Sequence, residues 1–140
     1  SPMQRLQKLP EYYQPRVYIV EDDEAVRDSC AMLIQSSGLS VEAFSSAEEF
    51  LRSTAADSCG CLLTDLQLTG CNGLELLKQM KSAGYRLPAI LVSGSLDPTT
   101  TGCAVEEGAF AILEKPYPVQ SLREAVITAI ENDSQQRTCK

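Results

Sequence analysis

The chain has 140 residues, 44% of them hydrophobic and 22% charged, with a net charge of −7, which is enough for one soluble domain with its own core. The acidic balance and the scattered Lys and Arg argue against a nucleic-acid surface, which needs basic groups set against phosphates, and no apolar run approaches the ~18 residues of a membrane span. With six cysteines and no histidine, the chain has no Ser-His or Cys-His nucleophile pair, no histidine general base and no phosphohistidine of its own.

No secretory signal is visible at the N-terminus. Ser1 and Pro2, ahead of Met3, have the look of a cloning scar, which would make the chain a fragment of a longer protein. Residues 1–15, with Pro2, Pro10 and Pro15, read as an extension or linker. Residues 17–20, VYIV, are a buried strand. From Glu24 the period changes, and Val26, Cys30, Leu33 and Ile34 mark one helical face, which Gly38 ends. VEAF (41–44) is a second strand, and Ser46 to Glu49 form a capping box that opens a short helix with Phe50 and Leu51. CLLTD (61–65) is the third strand. Asn72-Gly73 start a helix carrying Leu74, Leu77 and Met80.

AILVS (89–93) is the fourth strand, and Asp97-Pro98 are the cap and first turn of a fourth helix. That helix is expected to be soft: it holds three consecutive threonines and Gly102, and Cys103, Ala104 and Val105 do most of its burying. AFAIL (109–113) is the fifth strand. Pro118 opens a last helix with Leu122, Val126 and Ile130, expected to end near Ile130 and to leave 132–140 as a polar tail or linker. Apolar strands alternating with helices predict an α/β fold, a parallel sheet with helices on both faces, over residues 16–131. Cys59 and Cys61 are two apart, not the C-x-x-C of redox or zinc sites, and all six cysteines are expected to be reduced thiols in a cytosolic protein.

In such a sheet, ligands bind at the carboxyl ends of the strands. There the sequence puts Glu21, Asp22 and Asp23 after strand one, Asp65 after strand three, Ser93 after strand four, and Glu114 with Lys115-Pro116 after strand five. If strands one and three are neighbours, Glu21, Asp22 and Asp65 converge, and their repulsion calls for a proton or a cation. Oxygen-only donors suit a hard ion such as Mg²⁺. A hydroxyl (Ser93) and an ammonium (Lys115) facing them make a pocket for a phosphoryl group. Each residue alone has an ordinary reading: EDDE as a solvated helix start, Ser-Gly and Lys-Pro as turns. Their convergence on one edge, in chain order, is what is specific.

The stretches VYIVEDDEAVRDS, LLTDLQLTGCNGLELL, LVSGSLD and GAFAILEKPY resemble the receiver domain of two-component response regulators, most of all the FixJ-like branch, over residues 16–131. The resemblance implies a flavodoxin-like (βα)5 fold with strand order 2-1-3-4-5. It implies Asp65 as phosphoacceptor, and Mg²⁺ bound by Glu21, Asp22, Asp65 and the Gln67 backbone carbonyl. Ser93 and Lys115 would contact the phosphoryl group, and the Lys115-Pro116 bond would be cis. It further implies a cytoplasmic switch rather than a turnover enzyme, charged by a sensor histidine kinase. The surface altered would be that of the fourth helix, fifth strand and fifth helix, through which a homodimer could form; the chain could be an excised domain, with a C-terminal DNA-binding output domain in the full-length protein, a stand-alone receiver, or the receiver of a hybrid kinase. Three positions depart from the family pattern: Glu21 stands for Asp, Thr69 takes a usual proline position, and Ile112 replaces the switch aromatic.

Two other readings compete. A receiver-shaped binding module that is never phosphorylated would not need the full set of Glu21, Asp22, Asp65, Ser93 and Lys115. A haloacid-dehalogenase-type phosphatase needs a second Asp two residues after its nucleophile, and Gln67 stands there, unable to exchange a proton near neutral pH.

Overall fold

Short β-branched runs fold as strands and amphipathic stretches as helices in the computed structural model, which describes residues 2–68 and 70–138. In chain order these are α1 Pro2–Gln7, β1 Arg16–Val20, α2 Glu24–Gln35, β2 Ser40–Phe44, α3 Ala47–Ser53, β3 Gly60–Asp65, α4 Gly73–Ser82, β4 Ala89–Ser93, α5 Pro98–Glu106, β5 Ala111–Glu114 and α6 Val119–Thr138. The fourth and fifth helices of the sequence reading are therefore α5 and α6. The strands are all parallel, in the order β2-β1-β3-β4-β5, as expected. Thr69, where the family pattern has proline, lies outside the described residues.

Side chains alternate across the sheet and build a core on each face. Tyr18, Val20, Leu62 and Leu91 pack with Phe44, Phe50, Leu76 and Met80 beneath α3 and α4. Phe50 is at the centre, edge-on to Tyr18 and Phe44 with ring centroids 5.9 and 5.7 Å away. Val17, Ile19, Leu63, Ile90 and Val92 pack with Ile34, Leu122, Val126 and Ile130 of α2 and α6. The helix starts use the caps legible in the sequence. Asp23, Ser46, Asn72 and Asp97 accept from the backbone N–H groups of Val26, Glu49, Glu75 and Thr100 at 3.1, 3.1, 2.9 and 2.7 Å. Glu49 completes its box differently, accepting from the Ser45 hydroxyl at 2.9 Å.

Three elements differ from expectation. Residues 132–138, read as a polar tail, continue α6, and Asp133 and Ser134 are buried. The N-terminal stretch is ordered by contact: α1 lies on α6 through Arg5, and Tyr13 is buried. In α5 only Ala104 is buried; Cys103 and Val105 point to solvent, so the apolar face is thinner still than the sequence suggests. Cys30, Cys59, Cys61, Cys71 and Cys103 are free thiols, and Cys139 lies outside the described residues. Among the described residues no helix is long and apolar enough to cross a membrane.

Gly60 opens β3 at φ +124°, and a Cβ there would stand 1.9 Å from the Arg16 carbonyl oxygen of the neighbouring strand. Gly60→Ala must strain both the backbone and the β1–β3 pairing. It is expected to destabilise the fold by roughly 2–4 kcal/mol in urea denaturation, far more than an exposed Gly→Ala change.

Candidate functional site

The parallel register brings the expected residues to one edge. Val20 pairs with Thr64, Asp65 with Val92, and Ser93 with Glu114, so the residues following β1, β3, β4 and β5 surround the carboxyl end of β3. Buried neighbours keep most of Asp65 out of solvent, its side chain being 11% exposed. Gly73, at the start of α4, allows a close approach: a Cβ there would lie 2.9 Å from the Asp65 carbonyl oxygen.

Lys115 reaches across from the end of β5, its Nζ 2.7 Å from Asp65 Oδ2 and 4.0 Å from Glu21 Oε1. The other Asp65 oxygen, Oδ1, accepts from the Gln67 backbone N–H at 2.7 Å. Asp65 is thus gripped at both oxygens. Glu21 is 8% exposed; its Oε2 accepts from the Asp23 N–H at 3.2 Å, and its carbonyl accepts from Arg27 at 2.9 Å. Burial is the main cause that raises the Glu21 pKa. The Asp23 N–H bond opposes it, and the Asp22 carboxyl in hydrogen-bonding contact and the Asp65 charge add to it. For Lys115 burial works against the charge, but the Asp65 bond and the charges of Asp65 and Glu21 outweigh it and hold the pKa above the ordinary lysine value.

Ser93 is buried, but its hydroxyl serves its own loop, donating to the Ser95 carbonyl at 3.0 Å and accepting from the Ser95 N–H at 3.2 Å. The Lys115-Pro116 bond is cis, and the Lys115 N–H bonds the Ser93 carbonyl at 2.8 Å. Ile112 is half-buried against the core under α4 and α5. The structure therefore joins Glu21, Asp22, Asp65 and Lys115 into one charged cluster and leaves Ser93 beside it. It also reveals residues that the sequence reading passed over. Arg27 pins the β1–α2 loop from the first turn of α2, and Thr64 donates to the Asp65 carbonyl at 3.1 Å. Cys30 and Tyr117 line a cavity of about 30 Å³ under Asp65 and Lys115, and burial pushes the Cys30 thiol up to about 11, so it is no thiolate. Arg27 has no signal in the sequence, since its partner is the Glu21 backbone carbonyl; Cys30 and Tyr117 had none beyond being apolar in pattern.

Among the described residues no three acidic, Cys or His side chains are gathered as a ready metal cage; Lys115 sits on Asp65 instead. The donor chemistry nonetheless fits a hard divalent cation. Two carboxyls touch and a third lies across Lys115, an oxygen-only set whose mutual repulsion a cation would relieve.

Residues 17–127 match the response regulator receiver domain family. The chain is 37% identical to the response regulator protein TodT of Pseudomonas putida over 122 residues, covering 87% of this chain and 54% of that protein. It is 39% identical to nodulation protein W of Bradyrhizobium diazoefficiens over 121 residues, covering 86% and 53%. The chain spans about half the length of these relatives. Among solved structures it is similar to the FixJ-N crystal structure, with a TM-score of 0.78 and 34% identity over 85% of this chain and 95% of that one.

The raised Glu21 pKa carries a sign. The folded state holds the Glu21 proton more tightly than the unfolded chain, so this group's contribution is present at low pH. It is lost as the pH rises from the ordinary value of 4.5 through the raised one. In EDTA, the melting temperature of Glu21→Gln minus that of the wild type should grow as the pH is raised from about 4.5 towards neutrality. A difference that stays flat over that range would contradict the burial argument.

Proposed function

We propose that this chain, which belongs to the response regulator receiver family, is a signalling switch that accepts one phosphoryl group on Asp65. The single observation that carries this reading is the grip on Asp65: an ammonium 2.7 Å from one oxygen and a backbone N–H 2.7 Å from the other. This orients a carboxylate at an open sheet edge. The donor in this reading is a phosphohistidine on a sensor kinase, and it lies outside these 140 residues, which contain no histidine.

A carboxylate oxygen of Asp65 attacks phosphorus as the N–P bond of the donor breaks. The electron pair of that bond leaves with the imidazole, and an acyl phosphate remains on Asp65. Lys115 is placed to follow the charge from the carboxylate to the phosphoryl oxygens. Glu21, Asp22, Asp65 and the Gln67 carbonyl are the groups that would hold Mg²⁺, which when bound neutralises phosphoryl oxygen charge. The Ser93 hydroxyl would leave Ser95 for a phosphoryl oxygen, freeing the loop that leads into α5. The altered surface is that of α5, β5 and α6, where a second copy could pair. We place the switch in the cytoplasm, as one step in a relay rather than a turnover enzyme, with an output domain such as a DNA-binding module in a longer protein.

With acetyl phosphate and Mg²⁺, intact mass should rise by one phosphoryl group in the wild type and not at all in Asp65→Asn; equal labelling of both would move the acceptor elsewhere. Because α5 buries one residue and α6 many, amides in Pro98–Glu106 should exchange well before those of 122–130, by tenfold or more on the order of one lost packed side chain. Beryllofluoride should slow the α5 amides. Equal protection of the two helices, unchanged by beryllofluoride, would rule out α5 as the element that responds.

A further inference from the structure

The last two turns of α6 are made of residues that do not by themselves hold a helix to a sheet. Residues 131–138 read ENDSQQRT. None is apolar, and Asn, Asp, Ser and Thr are weak helix formers because their side chains compete for backbone groups. The apolar period stops at Ile130, yet the helix runs to Thr138, with Asp133 2% exposed. A buried carboxylate needs donors to offset its lost hydration, and Asp133 has three. Its Oδ2 accepts from the Tyr13 hydroxyl at 2.6 Å and from the Gly60 N–H at 2.9 Å. Its Oδ1 accepts from Arg137 Nε at 3.0 Å. Arg137 in turn donates to the carbonyls of Asp57 and Ser58 at 3.2 and 2.8 Å.

Two of these donors belong to the sheet edge and to α6 itself. The third comes from the N-terminal arm, residues 2–15. Tyr13 is 6% exposed, so its ring also closes Asp133 off from water. Nearer the start of the arm, Arg5 in α1 forks over the outer side of α6. It pairs with Glu131, lies 2.6 Å from Glu124 Oε1 and donates to the Thr128 hydroxyl at 3.1 Å. The arm therefore grips α6 at 124, 128 and 131 on one side and at 133 on the other, on both sides of the point where apolar packing ends.

We propose that the N-terminal arm is a splint that keeps residues 131–138 helical and docked, and that without its two anchors α6 ends at Ile130, which becomes a hinge. The physical reason is specific to a buried charge. Remove the Tyr13 donor and Asp133 keeps two partners in a site it entered with three, while water outside offers full hydration. No apolar side chain in 131–138 resists the exchange. The direction in which residues 131–138 leave the sheet is thus set by a segment more than a hundred positions earlier in the chain, independently of the state of Asp65.

The test uses the full chain carrying Arg5→Ala together with Tyr13→Phe, which keeps the ring and deletes only the donor. Hydrogen exchange should show the amides of 132–137 exchanging about tenfold faster or more, while those of 122–130 keep their protection. Tyr13→Phe alone should give a smaller increase in the same segment. Wild-type protection at 132–137 in the double variant would overturn the proposal. So would a loss of protection running evenly through 122–130, which would mean that the arm stabilises α6 as a whole and makes no hinge.

Discussion

The structure depends on settling negative charge at the carboxyl end of a parallel sheet. Three carboxylates, Glu21, Asp22 and Asp65, are drawn together by register alone, because β1 and β3 are neighbours. At close range in a half-desolvated site such groups repel by several kcal/mol. What counters this is one lysine, carried across from the end of β5. Its position is fixed by backbone, since the Lys115 N–H bonds the Ser93 carbonyl and the chain then turns through Pro116. β5 itself is only four residues long and half-buried; it is anchored by β4 and by the loop contact from Glu114 to the Leu96 N–H at 3.3 Å. The countercharge therefore hangs on a short edge strand.

β3 links that edge to a second polar node. At its carboxyl end Asp65 is held by Lys115; at its amino end the Gly60 N–H is held by Asp133. The two nodes are opposite in kind. The first keeps contact with solvent through its lysine, whose side chain is 38% exposed, and its other donor is a backbone N–H. The second is closed, with its carboxylate 2% exposed and its arginine side chain 9% exposed. β3 is thus held by short polar contacts at both ends, one partly solvated and one buried.

Most of the sheet was legible in the sequence because its signal is local. VYIV, CLLTD and AILVS are continuous apolar runs, and the caps at Asp23, Ser46, Asn72 and Asp97 are single residues acting three positions ahead. The members of the charged cluster were legible because topology carries strand ends to one place. What was not legible is held by long-range polar contacts. ENDSQQRT has no period to read, and its helix exists through Tyr13, Gly60, Asp57 and Ser58, none near it in the chain. Arg5 and Tyr13 likewise look like linker residues until α6 is in place. The Ser93 rotamer is a further case: sequence puts the hydroxyl at the edge, but only the Ser95 backbone decides which way it turns.

The asymmetry between α5 and α6 follows from the same division between local and distant support. α6 is held by Leu122, Val126, Ile127 and Ile130, all nearly inaccessible; at roughly 1.5–3 kcal/mol for each large aliphatic side chain fully buried, they outweigh any single polar contact. α5 has Ala104 alone, worth well under one such side chain. Its N-terminal cap is sound, so it is a helix that forms readily and is weakly attached. In the proposed switch, moving the Ser93 hydroxyl would exchange its two bonds to Ser95 for one to a charged oxygen, a change on the order of 1 kcal/mol. That is small against the packing of α6 and comparable with everything that holds α5. With aliphatic Ile112 in place of a ring that could swing between two positions, the proposed switch rests on the weak attachment of α5, through which so small a change at Ser93 would become a change of surface.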